Sequence, residues 1–269
     1  LENGRIYLPP ASIPGGHGLR SMALQAMAHR LLGHTPPTDY DDFLQQRPAA
    51  ADEDVHMLAD VVDHVIARCS APGDVVFDPF AGFGTTLDRA VRFGRRGLGI
   101  ELLPERVAYL CERVPGARVY EGDARGMVRV LRAHGECSEG RVDLILTSPP
   151  YMTSDDHDAD PLTAYEEDGG DYSRYLRELG LVAAQCAHLV APGGFVVWNV
   201  ADICHRGVTT HLIEDCRRVL GEHLREVGTT DIVWDRYPHD LVADALLVFR
   251  NGQSTVGVGS VTADSDAVR

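Results

Sequence analysis

"VVFDPFAGFGTT", residues 75 to 86, decides how the rest of the chain is read. Val75 to Phe80 is a short apolar run of strand length. The glycines at 82 and 84 break it just before a stretch whose apolar spacing is helical through Phe93. A buried strand that turns through glycine into a helix is the opening of a parallel strand-helix-strand unit.

The same alternation continues downstream. "RGLGIE" (96 to 101) reads as a second strand, followed by a helix from Pro104. "ARVYEGD" (117 to 123) is a third and "VDLILTSPP" (142 to 150) a fourth. A helix over 172 to 189 leads through "APGG" into "FVVWNV" (195 to 200). Another, 209 to 220, precedes "TTDIVW" (229 to 234) and "ADALLVF" (243 to 249). This order predicts an α/β fold: a mostly parallel seven-stranded sheet with helices on both faces. The last two strands have no helix between them and predict an antiparallel hairpin at the edge. Upstream, 55 to 69 reads as an amphipathic helix and 19 to 32 as another, with a Pro- and Gly-rich lead-in over 1 to 17. The expected organisation is an extension over 1–54, the α/β unit over 55–250 and a mobile tail over 251–269.

Composition narrows the class. The 269 residues are 44% hydrophobic and 24% charged, ordinary for a globular domain. No apolar run reaches the length of a membrane span and the first residues lack the pattern of a signal peptide, so the sequence reads as cytoplasmic with no membrane partner. The six cysteines show no paired spacing and read as reduced thiols. No histidine spacing suits a metal site; "DDHD" (155 to 158) reads as solvated acid before it reads as a cation site. The formal net charge of −15 opposes tight binding to phosphate. All 25 basic residues are arginine, which GC-rich codon usage explains without a functional choice.

Three carboxylates fall at strand ends: Asp78, Glu101 and Asp123. In an open parallel sheet, ligands bind beyond the carboxyl ends of the strands, and an acid after the second strand is placed to accept hydrogen bonds from a ribose diol. Glycines beside it let backbone approach a ligand. Each feature alone has a bland reading, a helix cap or a solvated strand end; the ordered series does not.

"DPFAGFGTT", "GIE", Asp123 and "TSPPY" together resemble the ordered motifs of the S-adenosylmethionine-dependent DNA amino-methyltransferases, the N4-cytosine and N6-adenine group. The resemblance covers about residues 55 to 250. It implies a Rossmann-like class I methyltransferase fold and S-adenosylmethionine as cofactor. Carried over to this chain, it implies that Asp78, Phe80, Gly82, Gly84 and Thr85 line the methionine end, that Glu101 binds the ribose hydroxyls and that Asp123 contacts the adenine. Thr147 would join the cofactor site. Ser148, Pro149, Pro150 and Tyr151 would form the substrate corner, with DNA as the partner.

The corner has its own chemistry. An exocyclic amine conjugated to a ring is a poor nucleophile because its lone pair is delocalised. The Ser148 hydroxyl and the Pro149 carbonyl are acceptors for its two N–H groups, two prolines fix the turn, and Tyr151 offers a flat face for a flipped base. No cysteine follows the prolines, which argues against methylation of cytosine C5. Trp198 and Asn199 lie near enough in the fifth strand to approach, with core packing the plainer role for the tryptophan.

The acceptor is where the sequence divides. Residues 152 to 171 carry eight carboxylates and no arginine, which opposes a nucleic acid beside the corner. Three acceptors follow: a DNA base, with recognition shared with another subunit; a cationic small-molecule or peptide amine, drawn by the acidic loop; and guanine N2 of RNA, for which the extension before residue 55 is short.

Overall fold

The computed structural model describes residues 31–51, 56–136, 139–155, 159–164 and 170–252. The lead-in, most of the helix expected over 19 to 32, and the tail from 253 onward lie outside the described residues. So do Asp156, Asp158, Glu166, Glu167 and Asp168 of the acidic loop.

The strands are β1 (Val75–Asp78), β2 (Arg96–Glu101), β3 (Arg118–Glu121), β4 (Val142–Thr147), β5 (Val190–His205), β6 (Val208–Thr210), β7 (Arg225–Asp231) and β8 (Leu241–Arg250). They form one sheet in the order β3-β2-β1-β4-β5-β8-β7, with β6 paired to β5 off that path. β1 to β5 are mutually parallel, and β8 is antiparallel to both β5 and β7. The expected mostly parallel sheet with an antiparallel edge pair is therefore present, and β6 adds an eighth strand to the seven expected.

Alternation along each strand sends side chains to two cores, as a doubly covered sheet requires. Phe77, Ile145, Trp198, Leu247 and Phe249 face one core. It is closed by α5 (Met127–Ala133), α6 (Tyr172–Leu189) and α7 (Leu212–Gly221). Val76, Leu144, Leu146, Val197 and Leu246 face the other, against α2 (Ala59–Cys69). Leu32 and Phe43, the latter on α1 (Tyr40–Gln45), bury in that second core, so residues 31–51 pack with the sheet. α3 (Thr85–Arg92) and α4 (Pro104–Arg113) meet through Leu87 and Leu110.

The boundaries differ from the sequence expectation where local chemistry intervenes. β4 stops at Thr147, before the two prolines, which lack an N–H for the ladder. β5 runs for 16 residues, through the Ala-Pro-Gly-Gly stretch expected to be a turn, with a register shift against β4 between Val142 and Leu144. Its far end reaches His205 because Val208–Thr210 folds back as β6, so α7 begins at Leu212 and not at Thr209. β7 ends at Asp231, leaving Trp234 in the following loop. Among the described residues no helix is long and apolar enough to cross a membrane.

Candidate active site

The strand order reverses direction between β1 and β4, and the carboxyl ends of these two strands diverge into different helices. This is the point in such a sheet where a ligand cleft opens. Asp78 ends β1 and Thr147 ends β4, and the Thr147 hydroxyl donates to Asp78 Oδ1 across the gap at 2.6 Å. The Phe80 amide donates to the same oxygen at 3.0 Å. Asp78 is buried, and burial pushes its carboxyl up to about 6 against the pull of these donors. Thr147 has no exposed surface, so its hydroxyl serves to hold that carboxylate.

Glu101, at the end of β2, is tied to the glycine turn. Its Oε2 accepts from the Gly82 amide at 2.8 Å and its Oε1 from the Leu103 amide at 3.0 Å. Burial raises its carboxyl despite these bonds. Two backbone donors fix the plane of the carboxylate, and each oxygen keeps a second lone pair for a further donor. The two glycines of the turn have different reasons. Gly82 has φ +53°, and a Cβ there would meet only a backbone oxygen at 3.8 Å, so the turn is open on that side. Gly84 has φ +83° and a Cβ there would strike Leu110 at 2.2 Å. Its need is the entry into α3, where Thr85 is the first residue, and packing against α4.

Asp123 follows β3 and caps a short 3-10 turn. Its Oδ1 accepts from the Arg125 amide at 2.7 Å, and both oxygens receive the Arg125 guanidinium, at 2.6 Å for Oδ2 and Nη2. Arg125 also pairs with Glu178 of α6. The carboxylate expected to meet an adenine is thus engaged by a neighbour two residues away, while remaining on the same rim.

At the end of β4 the Ser-Pro-Pro-Tyr corner is held from three directions. Ser148 Oγ donates to Tyr151 Oη at 3.2 Å, and Tyr151 Oη donates to the Asn199 carbonyl at 3.2 Å. The Tyr175 hydroxyl donates to the Pro150 carbonyl at 2.8 Å. Behind Asn199 stands Asp244 on β8. It accepts from Asn199 Nδ2 at 2.6 Å and Trp234 Nε1 at 2.8 Å. Burial pushes Asp244 up to about 6 against these bonds. Burial, and then the Asp244 charge, push the Tyr151 phenol upward, so it stays neutral and keeps its proton to donate. Its ring is partly buried and packs against the core.

The sequence placed Ser148 to Tyr151 together but missed Tyr175, Trp234 and Asp244. A lone aspartate inside the apolar run of β8 was the available signal; nothing in the helical pattern of α6 marks Tyr175. Trp198 is fully buried in the core, and Asn199 meets the corner through its backbone carbonyl.

The fold has counterparts among solved structures. The N-methyltransferase NodS from Bradyrhizobium japonicum WM9, in complex with S-adenosyl-L-homocysteine, superposes with a TM-score of 0.52 over 80% of this chain and 98% of that one, at 16% identity. The fold is that of the S-adenosylmethionine-dependent methyltransferases. Residues 59–112, which carry the glycine turn and Glu101, match the family model described as DNA methylase. The DNA adenine methyltransferase YhdJ of Escherichia coli (strain K12) is 31% identical over 91 residues, 34% of this chain and 28% of that protein. The 4-amino-L-phenylalanine/4-methylamino-L-phenylalanine methyltransferase of Streptomyces pristinaespiralis is 35% identical over 149 residues, 49% of this chain and 45% of that protein. The chain thus matches less than half the length of either relative.

The rim suits the cofactor of this fold. Glu101 offers two oriented acceptors for a diol, Gly82 leaves open space beside them, and carboxylates around the cleft suit a cationic sulfonium better than a pyrophosphate.

Proposed function

We propose that the chain is an S-adenosylmethionine-dependent N-methyltransferase whose acceptor is an uncharged, ring-conjugated amine. The bound cofactor supplies the methyl group. Asp78, Phe80, Gly82, Gly84, Thr85, Glu101 and Asp123 are the rim residues assigned to holding it, with Thr147 acting through Asp78. Ser148, Pro149, Pro150 and Tyr151 hold the amine.

One observation carries the choice of amine. The Asn199 carbonyl can only accept, so Tyr151 must donate to it; Tyr151 Oη is then left to accept, so Ser148 must donate to Tyr151. The single proton of Ser148 is committed to Tyr151, and its free lone pairs make it an acceptor for an N–H. An acceptor on the N–H favours the pyramidal nitrogen that attack requires, which is the difficulty of a conjugated amine.

An alkylammonium presents the opposite difficulty, since it has no lone pair until a base removes a proton. The buried carboxylates Asp78 and Asp244 accept from Thr147 and the Phe80 amide, and from Asn199 and Trp234, and neither accepts from a residue of the corner in these bonds. The cationic amine suggested by the acidic loop is therefore the weaker reading.

Two acceptors meet the condition. A free aromatic amine is supported by the net charge of −15 and by the similarity over 149 residues to the 4-amino-L-phenylalanine enzyme. A DNA base, cytosine N4 or adenine N6, is supported by the DNA methylase match over residues 59–112. The charge favours the free amine, because a polyanion would have to overcome the repulsion of a surface with a net charge of −15.

The test is methyl transfer from isotopically labelled S-adenosylmethionine to 4-amino-L-phenylalanine, to mixed-sequence duplex DNA and to an alkyl diamine, read by mass spectrometry of products and digested nucleosides. Label on either conjugated amine supports the proposal and separates its two forms. Label on the alkylamine alone, or on none, overturns it.

A further inference from the structure

We infer that Tyr175 is a positioning residue for methyl transfer, holding the substrate corner in place through the Pro150 carbonyl; this rests on the function proposed above. Tyr175 sits on the first turns of α6 and is 1% exposed. Its hydroxyl reaches the Pro150 carbonyl at 2.8 Å from 25 residues away.

That carbonyl belongs to the peptide joining Pro150 to Tyr151. Fixing its plane fixes where the Tyr151 backbone leaves the corner. The far end of Tyr151 is fixed independently, by its bond to the Asn199 carbonyl. Ser148 in turn points its proton at Tyr151 Oη. The lone pairs of Ser148 are therefore aimed only while Tyr151 is held at both ends, and Tyr175 supplies one of the two. Small errors in such aim are costly in rate, because donors and acceptors act at hydrogen-bond distance from the reacting atom.

Tyr172 provides the control within the same helix. It stacks beside Tyr175 with ring centroids 5.9 Å apart, and its hydroxyl donates to Asp215 of α7 at 2.8 Å. Each hydroxyl donates to a part-buried acceptor, and Asp215 keeps its pair with Arg218 when the Tyr172 hydroxyl is removed. Of the two hydroxyls, that of Tyr175 is bonded to the corner and that of Tyr172 to Asp215.

The experiment compares Y175F and Y172F with wild type, well below their melting temperatures. Amide exchange of the segment carrying Tyr151 and Met152 should rise at least fivefold in Y175F and stay within twofold in Y172F. With the acceptor that wild type methylates, Y175F should lose at least tenfold in kcat with the KM for S-adenosylmethionine within twofold, and Y172F should keep its kcat within twofold. Unchanged exchange in Y175F, an equal rise in Y172F, or a Y175F turnover within twofold of wild type overturns the inference. If wild type methylates no acceptor, the proposed function fails, and the exchange comparison still decides whether Tyr175 holds the corner.

Discussion

The two halves of the rim are built by different means. Around β1 and β2 most of the holding donors are backbone amides: Glu101 is fixed by the Gly82 and Leu103 amides, and Asp78 by the Phe80 amide together with one side chain, the Thr147 hydroxyl at the end of β4. Around β4 the corner is four consecutive residues, yet its support comes from residues 175, 199, 234 and 244, on α6, β5, a loop and β8. Backbone donors at strand ends follow from the fold itself, whereas side-chain support must be recruited from whatever elements pack alongside. The first half suits a cofactor common to the fold, and the second suits an acceptor particular to one protein.

The sharpest way to break this comparison is to remove one group from each half. Glu101→Ala deletes the acceptors proposed for the ribose and releases the Gly82 amide, so binding of S-adenosyl-L-homocysteine should weaken by roughly a hundredfold or more, as expected for two charge-assisted hydrogen bonds. Ser148→Ala should leave that affinity within about threefold and lower kcat by about a hundredfold, the usual cost of losing one oriented transition-state partner. Calorimetry and steady-state kinetics on both variants check it. Equal loss of cofactor affinity in the two would erase the division between the halves.

The same division explains what the sequence could disclose. The strands and helices were legible because apolar runs of strand length alternate with helical spacing, and Gly84 and Pro104 mark helix starts by local chemistry. Ser148 to Tyr151 were legible as a motif because they are contiguous. Tyr175 and Asp244 were not, since a tyrosine in an amphipathic helix and an aspartate in a strand acquire their roles only when the sheet brings them beside the corner. β6 was missed for a related reason: Val208–Thr210 is a strand only because β5 extends far enough to pair with it. The length of β5 in turn rests on its pairing with β8, from Phe195↔Arg250 to Ile203↔Leu241.

Asp244 allows the corner's support to be sharpened by pH. Its carboxyl is raised by burial to about 6, above the ordinary value of an unfolded aspartate, so the folded protein binds a proton there more tightly than the unfolded chain. The corresponding stability is present at low pH and is lost as pH rises through the folded value. Relative to Asp244→Asn, which does not titrate, wild type should therefore gain roughly 1 kcal/mol between pH 7 and pH 5, measured by denaturant unfolding at each pH. A constant difference between the two proteins would mean that Asp244 shares its charge with water, and that Asn199 and Trp234 are not anchored on a buried anion.

The smallest effect concerns the acidic loop and the nature of its charge. Asp160 is 5% exposed and accepts from the Leu162 amide at 2.9 Å as the cap of a short 3-10 turn. Asp171 caps α6 by accepting from the Arg174 amide at 3.1 Å. Asp155 is exposed, and the bond it accepts from Thr153 goes to its backbone carbonyl. Two of these three carboxylates are thus occupied in holding turns of the chain that follows the corner, the helix cap directly preceding Tyr172 and Tyr175. Asp160→Ala should cost about 1 kcal/mol, the usual loss for a cap, while Asp155→Asn should stay within about 0.5 kcal/mol. If both changes are silent, the acids act as a charged rim facing the acceptor, and the case for a cationic substrate regains ground. If only Asp160→Ala registers, its carboxylate belongs, with the Asp171 cap, to the architecture of the segment that leads into α6 and Tyr175, and the acidity of this loop is in part a requirement of folding, not a signature of what is bound.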